Sequence, residues 1–174
     1  AAAINVMLKT ILDPGEEVIV LSPYFVEYGY YVDNHGGVAV VVPTDDDFLL
    51  NLAAIESAIT SKTRALIINS PNNPTGVVYP LESLAALGEL LNRKQEELGT
   101  EIFIISDEPY RRIIFDGLTY PQVLPQYRNS VVVTSHAKDL ALPGERIGYI
   151  AINPDYPEKD ELSDGLTFCN RTLG

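Results

Sequence analysis

Short runs of valine, isoleucine and leucine alternate along this chain with segments of helical periodicity. The apolar runs span residues 17–21, 38–42, 64–70, 101–106, 131–134 and 147–152. Continuous apolar runs are typical of strands buried on both faces, the environment of a parallel sheet covered by helices. The alternation therefore predicts an α/β fold with three α/β/α layers and a mostly parallel sheet.

The segments between these runs carry helix signals. An amphipathic pattern that includes Ile4, Leu8 and Ile11 opens the chain without a capping residue before it. Further helices are predicted within 22–37, where glycines end the segment, and across 50–60. The longest helix is expected to begin near Pro80 and to end at Gly99.

The last predicted strand should be antiparallel to the others. Only about a dozen residues separate the runs 131–134 and 147–152, and a parallel crossover normally contains a helix and needs at least that many. Pro143 and Gly144 lie in this connection and disfavour a helix there. We therefore expect residues 147–152 to form one antiparallel strand.

Charge and cysteine content exclude several classes of partner. The net charge is −12 and the pI is near 4.4, so the surface repels phosphate backbones and anionic lipids. Nucleic acid and membrane partners are therefore not expected, and no apolar run reaches the roughly 18 residues of a membrane span. Cys169 is the single cysteine, which fits a reducing compartment such as the cytoplasm.

The two ends of the sequence indicate part of a longer protein. The first helical pattern starts at once, and residues 167–174 stop without a turn signal. We expect residues 1–154 to form the core of one large domain. Residues 155–174 are expected to begin the connection toward the rest of that domain.

Polar clusters follow three of the predicted parallel strands, at 69–76, 106–110 and 135–138. In open α/β sheets, ligands bind beyond the carboxyl ends of the strands. We therefore expect the three clusters to converge on one site.

Lys138 is the candidate reactive group of that site. Most lysines are solvated on the surface, but this one follows a buried strand in a loop that also contains Arg146. We expect its amine to be partly desolvated and close to the second cation. Both effects favour the neutral amine, which attacks carbonyl groups.

Asp107 and Tyr110 each have two interpretations. Asp107 could cap a following helix or pair with a buried cationic ring nitrogen. Tyr110, three residues later, would lie on the same face of a helical turn, as packing or as a ligand contact. The residues alone leave these alternatives open.

Three separated motifs together resemble the class I and II aminotransferases of pyridoxal-phosphate fold type I, the aspartate-aminotransferase-like enzymes. They are "NSPNNPTG" at 69–76, "SDEPY" at 106–110 and "SHAKDLALPGERIGY" at 135–149. The resemblance covers nearly the whole chain, with the family's order and spacings. It implies pyridoxal 5′-phosphate as cofactor and a large domain that lacks the family's small domain here.

The resemblance also assigns roles, residue by residue. The lysine at the position of Lys138 carries the cofactor as a Schiff base, and the aspartate at Asp107 contacts the pyridine nitrogen. Asn73 and Tyr110 match residues that hydrogen-bond the ring's phenolic oxygen. We expect an ionised Asp107 to keep the ring nitrogen protonated, and Lys138 to act as the base that moves the substrate proton.

The phosphate and the ring faces have their own counterparts in the family. Ser135 and Arg146 match two phosphate ligands. The N-terminus of the phosphate-binding helix aligns with Ala1 and Ala2, whose backbone N–H groups would point at the anion. Phe25 is favoured over its neighbour in "SPYF" as the ring that stacks on the pyridine.

Two residues depart from the family's pattern. Ala137 stands where a hydroxyl residue often precedes the lysine, which removes one phosphate hydrogen bond. His136 has no role that the resemblance assigns. Since His35 is the only other histidine, a metal site is not expected.

The resemblance implies an aminotransferase that moves an amino group between an L-amino acid and a 2-oxo acid, in a cytoplasmic homodimer. A lyase or decarboxylase on the same scaffold would carry the same cofactor ligands. A regulatory aminotransferase-like domain fused to a DNA-binding module is disfavoured by the acidic charge. A sheet domain with chance motifs is the remaining alternative, and the natural donor and acceptor stay open.

Overall fold

The computed structural model describes residues 1–173, in which six strands form one mixed sheet. The strands are β1 (Glu17–Ser22), β2 (Val38–Pro43), β3 (Thr63–Asn69), β4 (Phe103–Asp107), β5 (Ser130–Ser135) and β6 (Gly148–Ile152). Their order across the sheet is β2-β1-β3-β4-β5-β6. The first five are parallel, and β6 is antiparallel to β5. The predicted mostly parallel sheet with one antiparallel strand is confirmed.

The helices are α1 (Ala2–Ile11), α2 (Glu27–Asp33), α3 (Leu52–Ala58), α4 (Leu81–Leu98), the single turn α5 (His136–Asp139) and α6 (Lys159–Leu173), with 3₁₀ turns at Leu124–Gln126 and Pro143–Glu145. The first four helices lie within the predicted segments, whereas α5, the turn at Pro143–Glu145 and α6 were not predicted. Helix α1 has no side-chain cap, as expected. Gly99 ends α4 with a left-handed φ of 63°, a conformation that favours glycine.

Successive residues of the strands pack on opposite faces of the sheet. Val18 and Val20 of β1 pack with α1, α2 and α6, whereas Ile19 and Leu21 pack with α3 and α4. This alternation follows from the two-residue repeat of a strand. It produces the predicted three layers, with a core on each side of the sheet.

The prediction that every strand is covered on both faces is wrong for the two outermost strands, β2 and β6, which have few or no buried residues. Val38 and Val41 are 49% and 53% exposed, because β2 is the outermost strand of the sheet and pairs only with β1.

Residues after 154 contribute to the core on one face. Leu162, Leu166 and Cys169 of α6 are buried in the same cluster as Ile4 and Leu8 of α1. The expected boundary at residue 154 stays a prediction. Among residues 1–173, no helix is long and apolar enough to cross a membrane.

Candidate active site

A cavity of about 330 Å³ opens at the carboxyl ends of the parallel strands. The structure brings most of the candidate residues to this one cavity, since they follow neighbouring strands and the carboxyl ends of parallel strands meet at the same edge of a sheet. The candidates among its lining residues are Ala1, Phe25, Asn73, Asp107, Tyr110, Ser135, Lys138 and Arg146. Ala2 lines a second cavity, which shares Ala1, Ser135 and Arg146 with the first.

Asp107 is the last residue of β4 and is held by a phenol. Its Oδ2 accepts a hydrogen bond from the Tyr28 hydroxyl at 2.6 Å. Burial raises the pKa of the Asp107 carboxyl, and the hydrogen bond from Tyr28 opposes that rise. Asp107 lines the cavity, and its Oδ1 accepts no hydrogen bond from the residues that the structure describes.

The helix-cap interpretation of Asp107 is wrong. Residues 109–112 form a turn and no helix begins directly after β4, so there are no helical N–H groups there for the carboxylate to cap. For the same reason, Tyr110 reaches the cavity from a turn and not from a helical face.

Tyr28 is a site residue that the sequence did not reveal. It lies on α2, is 2% exposed, and lines the cavity. Burial, followed by the charge of Asp107, raises the pKa of its phenol well above the ordinary value. The clustered tyrosines of "YFVEYGYY" were the only signal, and amphipathic packing explains such a cluster equally well.

Asn69 ties the loop after β3 to the end of β4. Its side-chain Nδ2 donates to the Asp107 carbonyl oxygen at 2.8 Å, and its Oδ1 accepts from the Asn73 backbone N–H at 2.7 Å. Asn69 is 4% exposed, so both bonds are shielded from water. This amide fixes where Asn73 stands relative to Asp107.

Lys138 lies on α5, directly after β5. Its Nζ is 5.9 Å from the centroid of the Tyr110 ring. The expectation of a partly desolvated lysine is wrong, because the residue is exposed. The turn α5 projects beyond the end of the sheet, where the described helices do not cover it.

Lys138 and Arg146 belong to one connection between two paired strands. Ser135 at the end of β5 pairs with Gly148 at the start of β6. The connection between them therefore begins and ends at the same edge of the sheet. Arg146 adopts a left-handed φ of 53°, and its Nη1 donates to the Pro143 carbonyl oxygen at 3.1 Å. The two cations therefore share one cavity because one antiparallel pair carries both.

The remaining candidates also line the first cavity. Phe25 packs edge-on against Tyr28, with ring centroids 5.6 Å apart, and Tyr24 is not among the residues that line the cavity. Ser135 precedes α5 and makes no side-chain capping bond, so its hydroxyl is available to a ligand. Ala1 precedes the first turn of α1.

A model of the family "aminotransferase class I and II" matches residues 1–172. The chain belongs to this family, and the resemblance inferred from its three motifs is confirmed. No cluster of three or more metal-ligating side chains occurs among the residues the structure describes.

Particular relatives are aspartate-type aminotransferases. The chain is 43% identical over 145 residues to a probable aspartate/prephenate aminotransferase of Thermus aquaticus, covering 82% of this chain and 36% of that protein. It is 36% identical over 155 residues to an aspartate aminotransferase of Geobacillus stearothermophilus, covering 86% and 38%.

Solved structures share the fold. An amino transferase from Eubacterium rectale superposes with a TM-score of 0.97 at 42% identity, covering 99% of this chain and 44% of that one. The aspartate aminotransferase of Thermus thermophilus with maleate gives a TM-score of 0.82 at 36% identity, covering 99% and 43%. The chain thus spans roughly two fifths of the length of its relatives.

Proposed function

We propose that the full-length protein is a pyridoxal 5′-phosphate-dependent aminotransferase that moves an amino group between an amino acid and a 2-oxo acid. The observation that carries the proposal is the convergence of the Lys138 amine and the partly buried Asp107 carboxylate on one cavity. Membership of the aminotransferase family supports the same reaction.

The residues of the cavity fit the cofactor. A volume of about 330 Å³ lies within the usual range for small-molecule sites. The free Oδ1 of Asp107 suits a protonated ring nitrogen, and the raised pKa of this carboxyl indicates a charge that a cationic ligand would stabilise. Phe25 offers a ring to stack on a heterocycle.

Other residues suit the two polar ends of the molecule. Lys138 would hold the cofactor through its amine, while Asn73 and Tyr110 would hydrogen-bond the phenolic oxygen. Arg146, Ser135 and the first turn of α1 would bind the phosphate, since a guanidinium and helical N–H groups both favour anions. That these residues line two cavities with shared walls supports this assignment.

When bound, the cofactor supplies a ring that accepts the electrons left at the substrate Cα after its proton is removed. The chain's own residues set the charges and move the proton. Asp107 would keep the ring nitrogen of a bound cofactor protonated, and the Tyr28 hydroxyl holds that carboxylate through its hydrogen bond to Oδ2. The Lys138 amine, when it is not bonded to the cofactor, would take the proton from the substrate Cα and give it to a cofactor carbon.

Reductive trapping of full-length protein tests the cofactor assignment. The protein is mixed with pyridoxal 5′-phosphate, reduced with borohydride and digested. We expect one cofactor-bearing peptide, containing Lys138, and none in Lys138→Arg, while Lys62→Arg at an exposed position serves as the matched control. A wild-type digest without a modified Lys138 peptide would refute the assignment.

Product analysis tests the reaction type. A panel of amino donors is supplied with 2-oxoglutarate, and we expect glutamate to form with at least one donor. Release of pyruvate, a thiol or carbon dioxide without glutamate would assign the protein to the lyases or decarboxylases instead.

We also propose that the full-length protein is a cytoplasmic homodimer, as its family resemblance implies. Exposed apolar side chains near Tyr110 support a contact surface there: Phe115 is 75% exposed and Leu118 is 56% exposed. Sedimentation analysis of the full-length protein measures the assembly, and a monomer at micromolar concentration would contradict the proposal.

A further inference from the structure

The turn that carries Lys138 is bracketed by a histidine and an aspartate that face each other. His136 Nδ1 lies 3.4 Å from Asp139 Oδ1, and the Asp139 side chain is 8% exposed. Both atoms are shielded from solvent, and neither has a hydrogen-bond partner of standard geometry among the described residues. A buried carboxylate beside Lys138 thus has an imidazole as its neighbouring polar group.

Arg111, the cation nearest to Tyr149, is directed elsewhere. Tyr149 of β6 packs against the His136 ring, with centroids 6.0 Å apart. Arg111, from the turn after β4, donates to the Tyr149 hydroxyl at 2.6 Å and lies 3.7 Å from Glu108 Oε2. The guanidinium therefore faces Tyr149 and Glu108.

Lys138 points away from the pair. Its Nζ lies over the Tyr110 ring, and adjacent side chains on a helical turn do not face each other. Any influence of the Asp139 carboxylate on the Lys138 amine would therefore act through space and not through direct contact. An uncompensated carboxylate at this position would favour the protonated ammonium, which does not attack carbonyl groups.

We propose that His136 is a positioning residue for Lys138: it holds and compensates the Asp139 carboxylate, which leaves the Lys138 amine free to react. The Nδ1–H can donate to the carboxylate whether the imidazole is charged or neutral. The two side chains approach each other from the first and last residues of α5. This inference rests on the proposed function in one respect: the reactivity of the Lys138 amine matters for activity only if Lys138 bonds the cofactor.

The test measures amine reactivity in full-length protein without cofactor. The protein is labelled at pH 7.5 with a trace of acetic anhydride, and acetylation of Lys138 is compared with that of exposed Lys62 in the same digest. We expect His136→Ala to lower the Lys138/Lys62 ratio about threefold, since its unpaired carboxylate stabilises the ammonium. Asp139→Asn should leave the ratio equal or higher.

The double variant separates this role from simple packing. His136→Ala combined with Asp139→Asn should restore the ratio to that of Asp139→Asn, because no carboxylate remains to be compensated. His136→Asn, which keeps an amide N–H near the place of Nδ1, should retain more than half of the wild-type ratio. If His136→Ala fails to fold, the His136→Asn variant is used instead, and a ratio below half of the wild-type value would contradict the inference.

Two matched substitutions control for charge and for loss of a histidine. Glu145→Gln removes an exposed acid from the same connection, and His35→Asn changes the other histidine; both should leave the ratio unchanged. An unchanged ratio in His136→Ala, or a double variant as unreactive as His136→Ala, would overturn the inference. Since the labelling contains no cofactor, it remains interpretable even if reductive trapping fails.

Discussion

The Tyr28 hydroxyl donates a 2.6 Å hydrogen bond to Asp107 Oδ2, and this bond joins α2 to the end of β4. It places a buried phenol behind the carboxylate that the proposed function assigns to the ring nitrogen. The bond favours the ionised form of Asp107 and counteracts the rise in pKa that burial causes.

Removal of the phenol should change the pH dependence of turnover. In Tyr28→Phe, the pKa of Asp107 rises further, so the acid limb of the kcat profile moves to higher pH. A hydrogen bond to a charged group contributes about 1.5–3 kcal/mol, which corresponds to a loss of roughly tenfold or more in kcat. Steady-state kinetics of the full-length enzyme between pH 5 and pH 9 measures both effects. Tyr30→Phe, on the same helix at a 66% exposed position, should match wild type.

Neutralising Asp107 should stabilise the protein without its cofactor. Burial raises the pKa of Asp107 in the folded protein above its value in the unfolded chain. Below the unfolded pKa the carboxyl is protonated in both states and does not reduce the free energy of unfolding. As the pH rises through the folded pKa, the buried group must ionise, and the free energy of unfolding falls. Asp107→Asn should therefore raise the melting temperature at pH 7.5 by about 2–4 °C, and by less at pH 4.5.

Thermal unfolding of cofactor-free protein at the two pH values measures this difference. Asp46→Asn, at an exposed loop position, is the control. It should change the melting temperature by the same small amount at both pH values. A stability gain for Asp107→Asn that is equal at pH 4.5 and pH 7.5 would contradict the explanation by burial.

Loss of the Asn69 amide should loosen the loop that carries Asn73. In Asn69→Ala, the Asp107 carbonyl and the Asn73 N–H both lose their partner, and we expect a loss of about 2–3 kcal/mol in the free energy of unfolding. Urea denaturation measures it, and Asn92→Ala, exposed on α4, should lose little. Equal stability of the two variants would show that solvent replaces the amide.

A methyl group at Gly148 should separate β6 from β5. A Cβ there would stand 2.2 Å from the Thr134 carbonyl oxygen, whereas one at Gly144 would meet nothing within 4 Å. Overpacking of this kind costs about 1–3 kcal/mol or more, so Gly148→Ala should unfold at lower denaturant than Gly144→Ala. It should also trap less cofactor at Lys138, because Ser135 and the turn behind it move. Similar behaviour of the two variants would contradict the assigned register.

The strands and their direction were predictable because they depend on local patterns. Each apolar run became a strand within one or two residues, and the short connection with Pro143 correctly indicated the antiparallel β6. The convergence of Asp107 and Lys138 followed from the rule that parallel strands end at one edge of the sheet.

The contacts behind the site were not predictable because they join distant segments. Tyr28 and Asp107 are 79 positions apart, and their bond depends on the angle at which α2 crosses the sheet. The exposure of Lys138 and the turn after Asp107 have a similar origin, since both depend on which elements cover the sheet's edge. Sequence spacing carries little information about such coverage.

The paired end of β5 and the start of β6 have a consequence for how a ligand is released. Because the connection that leaves the ladder at Ser135 and re-enters it at Gly148 bears both Lys138 and Arg146, transient fraying of this end would displace the proposed covalent anchor and the proposed phosphate-binding cation in one event. Amide exchange at these few positions would then report the lifetime of the bound molecule, even though no part of the sheet's interior opens.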